Sequence, residues 1–261
     1  MNREALRAAL GTLVADWLPK NAQRIECTYF DNQPPLNTFA MRVDPQPVTG
    51  RVVALTDEAM IVKTGRIAFA AVDRALATQH PPLGSRVRVT PYFRRDFAGE
   101  RLDAPRREYW KDLDGRTHAM TVMAIGGRIV RIPLPGKPTC PYLTDLVEQL
   151  EILPTPDGWR TIANLLVDAG AADIEMVDPD EEHLIATPPE ISFAVATAKF
   201  TVRLAVLCDT RSQSYAVELR ANGATAARAE DITVTALATV LSDFIDDGQW
   251  RRIHIEILKR G

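Results

Sequence analysis

The segment Pro133-Leu134-Pro135-Gly136-Lys137-Pro138 can continue neither a helix nor a central strand. Each proline fixes its own φ and lacks a backbone donor. Three prolines and a glycine in six residues are linker chemistry, so two domains are expected to meet here. A length of 261 residues suits two domains better than one core. The charge changes sign at the same place. Residues 1–139 hold 21 Lys/Arg and 14 Asp/Glu, a net +7, and residues 140–261 hold 10 and 20, a net −10. The expected division is therefore a basic β-rich domain over 1–135 and an acidic α+β domain over 136–261. Charge asymmetry of this kind bears on partners and solubility rather than on fold.

Hydrophobic patterning assigns the class as α+β. Leu6, Leu10, Leu13, Val14 and Trp17 form one helical stripe ended by Pro19. From Val48 to Phe93 short apolar runs alternate with turn residues, and Arg86-Val87-Arg88-Val89-Thr90 alternates strictly. This half is expected to be a small barrel or curled sheet with an N-terminal helix. Residues 94–116 read as irregular. His118–Ile125 reads as a strand, with Arg128–Leu134 as its hairpin partner across Gly126-Gly127.

The second half reads as a two-layer α+β domain. Leu143, Leu146, Val147 and Leu150 form a stripe. A second helix is expected to start at Thr155-Pro156 and end at Gly170. Strands are expected near 173–177 and 183–187, as one bent or two separate strands over Ile191–Cys208, and at Tyr215–Leu219. A helix over 234–247 and a last strand over Arg252–Leu258 complete the pattern.

Composition excludes several classes. With 46% hydrophobic and 25% charged residues the chain can bury a core, so global disorder is not expected. No apolar run reaches the ~18 residues of a membrane helix. The opening Met1-Asn2-Arg3-Glu4 lacks the apolar stretch of a signal peptide. Cys27, Cys140 and Cys208 are few and widely spaced, which fits a reducing, cytoplasmic setting rather than a disulfide scaffold. No zinc-ligand spacing, P-loop, GxGxxG, GxSxG or HExxH occurs, and no catalytic residue, metal or cofactor is expected. Cys140 before a helix and His254 on a polar strand face are weak nucleophile and base candidates. The acidic run Asp178–His183 lacks a calcium-loop spacing.

The strongest candidate surface is cationic. Arg94, Arg95, Arg101, Arg106, Arg107 and Lys111 interleave with aromatics that include Tyr109 and Trp110. Arg86 and Arg88, two apart in a strand, would extend the patch on one face. Guanidinium groups bind phosphates and aromatic rings stack on exposed bases. Asp96, Glu100, Asp103 and Glu108 lie among them, so ion pairing within a surface loop is the alternative use of the same residues.

The run Gly50-Arg51-Val52-Val53, then Val62-Lys63-Thr64-Gly65-Arg66, then Pro82-Leu83-Gly84-Ser85-Arg86-Val87-Arg88-Val89-Thr90-Pro91-Tyr92 resembles the small β domain of KfrB-type proteins of conjugative plasmids. The resemblance covers about residues 47–93 and implies a plasmid or other mobile-element setting, with no particular chemistry.

Three functions fit these constraints. The first is a non-enzymatic binding protein that contacts nucleic acid or an acidic partner through its basic half. The second is a protein-interaction or DNA-mimic module acting through its acidic half. The third is an enzyme with a site assembled between the domains from His118, His183, His254 and Cys140.

Overall fold

The computed structural model describes residues 1–124 and 126–261. In chain order its elements are α1 (Arg3–Leu13), β1 (Glu26–Phe30), β2 (Val48–Leu55), β3 (Ala59–Lys63), β4 (Ala68–Asp73), β5 (Arg86–Thr90), β6 (Arg106–Lys111) and β7 (Thr117–Val122). There follow α2 (Pro141–Ile152), α3 (Ile162–Asp168), β8 (Ala172–Val177), β9 (Glu190–Ala196), β10 (Thr201–Asp209), β11 (Ser214–Ala221), β12 (Ala224–Ile232), α4 (Val234–Ile245) and β13 (His254–Lys259). The class is α+β, and among the described residues no sheet closes into a barrel. Nor is any helix there long and apolar enough to cross a membrane.

The chain divides into two compact units, Met1–Phe93 with Trp250–Gly261, and Arg94–Gln249. This differs from a boundary at 135/136. Val130 and Ile132 before the proline-rich segment, and Cys140 and Leu143 after it, are buried in one apolar cluster of the second unit. The prolines there shape extended chain along a core instead of a joint. The last strand, expected in the acidic domain from its place in sequence, pairs with β5 of the first unit. The charge split survives the new division. The first unit holds 15 Lys/Arg and 9 Asp/Glu, a net +6, and the second 16 and 25, a net −9.

In the first unit the strand order is β1-β4-β3-β2-β5-β13. β1 runs parallel to β4, and the other pairs are antiparallel. Asn2 caps α1, its side chain accepting from the amides of Glu4 and Ala5 at 3.1 Å. The stripe of Leu6, Leu10 and Val14 then packs on Val53, Ile61 and Phe69. The opposite sheet face buries Val52, Val62, Val87 and Val89 with Ile253 and Ile255. One parallel bridge joins Ala77 to Ile253. Because β5 alternates, burying Val87 and Val89 points Arg86 and Arg88 outward.

In the second unit the antiparallel order is β12-β11-β10-β9-β8. Leu143, Leu146 and Leu150 of α2, Leu165 and Leu166 of α3, and Leu237 and Leu241 of α4 share one core with Ile191, Phe193, Leu204, Val206 and Val217. Ile191–Cys208 is two strands joined by a turn at 197–200. α3 begins later than the Thr155-Pro156 signal suggests. Thr161 and Asn164 form its capping box, whereas the Thr155 hydroxyl closes a turn by donating to Asp157 at 2.6 Å. Residues 183–187 form a turn in place of the expected strand.

Candidate nucleic-acid interface

The segment read as irregular contains a β-hairpin. β6 pairs only with β7, and their six-residue ladder runs from Arg106 opposite Val122 to Lys111 opposite Thr117. The turn is built by Asp112, whose Oδ1 accepts from the amides of Asp114 at 3.0 Å and Arg116 at 2.8 Å. Gly115 supplies the positive φ of 78°. The expected pairing of 118–125 with 128–134 does not occur. β7 takes β6 as its partner because Asp114-Gly115 is the tighter turn signal, and Val130 and Ile132 are drawn into the core. Ile125, the end of the expected strand, lies outside the described residues.

Every residue of β6 is exposed, as is all of β7 except half-buried Val122. Tyr109 is 65% exposed and Trp110 51%. Directly paired residues share a face, so the two faces can be read from the register. One carries Arg106, Glu108, Trp110, His118, Met120 and Val122, and the other Arg107, Tyr109, Lys111, Thr117, Ala119 and Thr121. On the first face Trp110 stacks on His118 at 4.7 Å, and His118 Nε2 lies 2.7 Å from Asp112 Oδ2. That bond, with the Arg116 and Asp114 amides, holds the Asp112 carboxyl below the usual range. The second face has no carboxylate. Among the described residues Arg107 and Lys111 form no ion pair and no side-chain hydrogen bond.

The remaining cations of the segment mostly hold the hairpin's base. Arg94 donates to the Gly126 carbonyl at 2.6 Å and lies over the Trp159 ring. Arg101 makes a two-pronged pair with Asp103 at 2.8 and 2.9 Å. Arg106 reaches Glu100 at 3.2 Å and Asp96 at 3.6 Å. Arg95 is exposed and sits 3.9 Å from Asp168. Internal ion pairing therefore accounts for Arg101 and Arg106, whereas Arg107, Tyr109 and Lys111 are left to solvent. Locally the region is cationic: residues 94–131 carry 9 Lys/Arg and 6 Asp/Glu, and 132–249 carry 7 and 19.

Arg86 and Arg88 lie in the first unit, on the outward face of β5. Arg88 pairs with Glu256 at 3.0 Å, and among the described residues Arg86 forms no ion pair. The residues of the sequence-derived patch thus fall in two different units.

Other candidates are brought to quieter places. Cys140 precedes α2 and, with Tyr142, Asp180 and Glu181, lines a cavity of about 320 Å³. Burial, then the neighbouring Cys140, pushes the Cys208 thiol up to about 11, which makes it a poor nucleophile. Among the described residues no group of three His, Cys, Asp or Glu is placed to hold a metal. Several acids of the second unit are engaged in place. Arg220 chelates Glu190 at 2.6 and 2.8 Å and meets Glu218 at 2.7 Å, and Arg228 pairs with Glu218 and Glu230. Buried Arg160, overlooked in the sequence, gathers Asp157, Asp168 and Asp246.

Comparison with known proteins returns no match to any family model, curated protein or solved structure.

Proposed function

We propose that this chain is a non-enzymatic binding protein that holds single-stranded nucleic acid against its β6–β7 hairpin. The observation that carries the reading is the acid-free face in which Tyr109 stands between two unpaired cations, Arg107 and Lys111. Positions two apart on a strand are about 6.6 Å apart, so the two cations flank the ring along one line. They supply phosphate contacts on either side of a surface on which a base can stack. A duplex is less suited. A hairpin entering a groove tip-first brings Asp112, Asp114 and Glu108 against the phosphate walls, whereas a strand laid across the second face meets no carboxylate. The resemblance of residues 47–93 to the KfrB-type domain adds a mobile-element setting to this proposal.

The test is fluorescence anisotropy of the full chain with labelled single-stranded DNA, single-stranded RNA and duplex DNA over a salt series. A fragment ending at 139 is unsuitable, since it lacks β13 and most of the second unit. The expected result is salt-dependent binding that favours single strands. Arg107→Ala with Lys111→Ala should weaken it and reduce the salt slope by about 1.4, at ~0.7 per phosphate contact. Tyr109→Ala should weaken it roughly 5- to 150-fold, the span of ~1–3 kcal/mol for one stacked base, and Tyr109→Phe should not. Absence of binding to every oligonucleotide at low salt overturns the reading. Retention of a polyanionic peptide alone would transfer the surface to an acidic protein partner.

A further inference from the structure

Arg86 on β5 stands directly opposite Arg51 on β2 and opposite Lys259 on β13. All three are exposed, and among the described residues none forms an ion pair or a side-chain hydrogen bond. The row continues to Lys63 on β3, which is opposite Arg51. That ammonium is satisfied by the Trp17 carbonyl and lies over the Trp17 and Phe69 rings. Four adjacent strands therefore place a cation at the same level, and three of the four face solvent without a counter-charge. The adjoining row is Thr49, Arg88 and Glu256, and its one acid is already engaged by Arg88 at 3.0 Å.

Like charges directly opposite on neighbouring strands destabilise a sheet. The sequence pattern does not require them, because Val52, Val87 and Ile257 beneath already fix the inward face. An anion laid along the row removes the repulsion. Strands lie about 4.8 Å apart, so the three free cations span about 10 Å. A nucleic-acid strand carries one phosphate charge at every nucleotide, so its backbone can meet successive cations of the row whatever its sequence. An acidic peptide offers carboxylates on one face only about every 6.6 Å, and only where its sequence places an Asp or Glu.

We propose that Arg51, Arg86 and Lys259 form a second nucleic-acid contact, which takes the phosphodiester backbone and reads no base. It rests on the nucleic-acid function proposed for the hairpin but uses residues of the other unit. Arg51, Arg86 and Lys259 grip by charge alone, with no aromatic side chain among them. Their contribution is therefore independent of sequence and strongly salt-dependent.

The experiment titrates labelled single-stranded DNA into the full chain, into Arg51→Gln/Arg86→Gln, into Arg107→Ala/Lys111→Ala and into the quadruple variant, each over a salt series. Thermal melting without DNA controls for folding, and the Arg51→Gln/Arg86→Gln chain is expected to melt no lower than the parent because a repulsion is removed. Expected is a loss of about 10-fold or more at low salt and a salt slope reduced by about 1.4, both in the parent background and on top of the hairpin variant. Unchanged affinity and slope in Arg51→Gln/Arg86→Gln, with binding lost in the hairpin variant, overturns the second contact and leaves the proposed function standing. No binding by the parent chain overturns both. Should the variant melt well below the parent, Lys259→Gln alone repeats the test on an exposed residue next to the bulge in β13. An unchanged salt slope there also overturns the second contact.

Discussion

The buried guanidinium of Arg160 lies 3.0 Å from the Asp168 carboxylate, and the pair joins the turn after α2 to the end of α3. Arg160 is 2% exposed. Its Nε also meets Asp157 at 3.0 Å, and its remaining nitrogen binds Asp246 after α4. One cation thus holds three carboxylates from three parts of the second unit. Arg160→Met removes the cation and leaves the acids facing one another. Breaking a buried pair from one side costs roughly 3–5 kcal/mol. Urea unfolding followed by tryptophan fluorescence should show a loss of that order, and a loss under ~1 kcal/mol would mean that the cluster is well hydrated.

The same cluster sets an acid response. Burial works to raise the Asp157 pKa, but the Thr155 hydroxyl, the Arg160 amide and guanidinium and the Trp159 amide outweigh it and hold the carboxyl below its ordinary 3.8. The folded value is therefore lower than the unfolded one. The stabilisation is fully present above the ordinary Asp range and fades as pH falls through the folded value. Stability measured from about pH 5 downward should drop along this limb. Asp157→Asn should be less stable than the parent at neutral pH and show a shallower drop. An unaltered acid limb would place the titrating group elsewhere.

The hairpin should be separable from the core that carries it. Its strands pair only with each other, and its base is anchored by Leu102, Val130 and Ile132. Replacing residues 106–122 by a short Gly/Ser turn removes no buried side chain and should leave the melting temperature nearly unchanged, while eliminating the hairpin's share of oligonucleotide binding. Limited proteolysis should cut first after Arg107, Lys111 or Arg116, since an isolated two-stranded ribbon opens easily.

Gly50 is required by a close approach within the first unit's sheet. A Cβ there would sit on the Lys63 carbonyl oxygen and 2.7 Å from a Val62 methyl carbon. Gly50→Ala should cost about 1–3 kcal/mol through overpacking, read as a lower melting temperature. Because Arg51 is the next residue, the shift should also disturb its alignment with Arg86.

The local elements were largely legible in the sequence. The stripes of α1, α2 and α4 and the alternation of β5, β11 and β13 follow directly from apolar spacing. β6 was missed because all six of its residues are charged or aromatic and none is packed, so no inward face exists to set a period. Its turn was nonetheless signalled by Asp114-Gly115. β12 was missed because its small and charged residues are almost all exposed and carry little hydrophobic contrast. Of the ten cationic and aromatic residues singled out, the structure leaves Arg107, Tyr109 and Lys111 together on one open face and commits Arg101 and Arg106 to acids. That sorting depends on which carboxylate lies across a turn, and composition alone is blind to it. Arg51 and Lys259 were invisible for a different reason: they become neighbours of Arg86 only through strand pairing across long stretches of chain.

β13 completes the first unit although it follows the whole of the second in sequence. On the ribosome this imposes an order. When residues up to 249 have emerged, all of Arg94–Gln249 is available and that unit can fold around its own core. The first unit still lacks Ile253 and Ile255 from its interior, and β5 has only one neighbour. During that interval the nascent chain displays an open apolar edge, with Val87 and Val89 beside a vacant lane. A chain cut short before residue 254 would keep that edge open, exposed to chaperones and to the edges of other unfinished sheets.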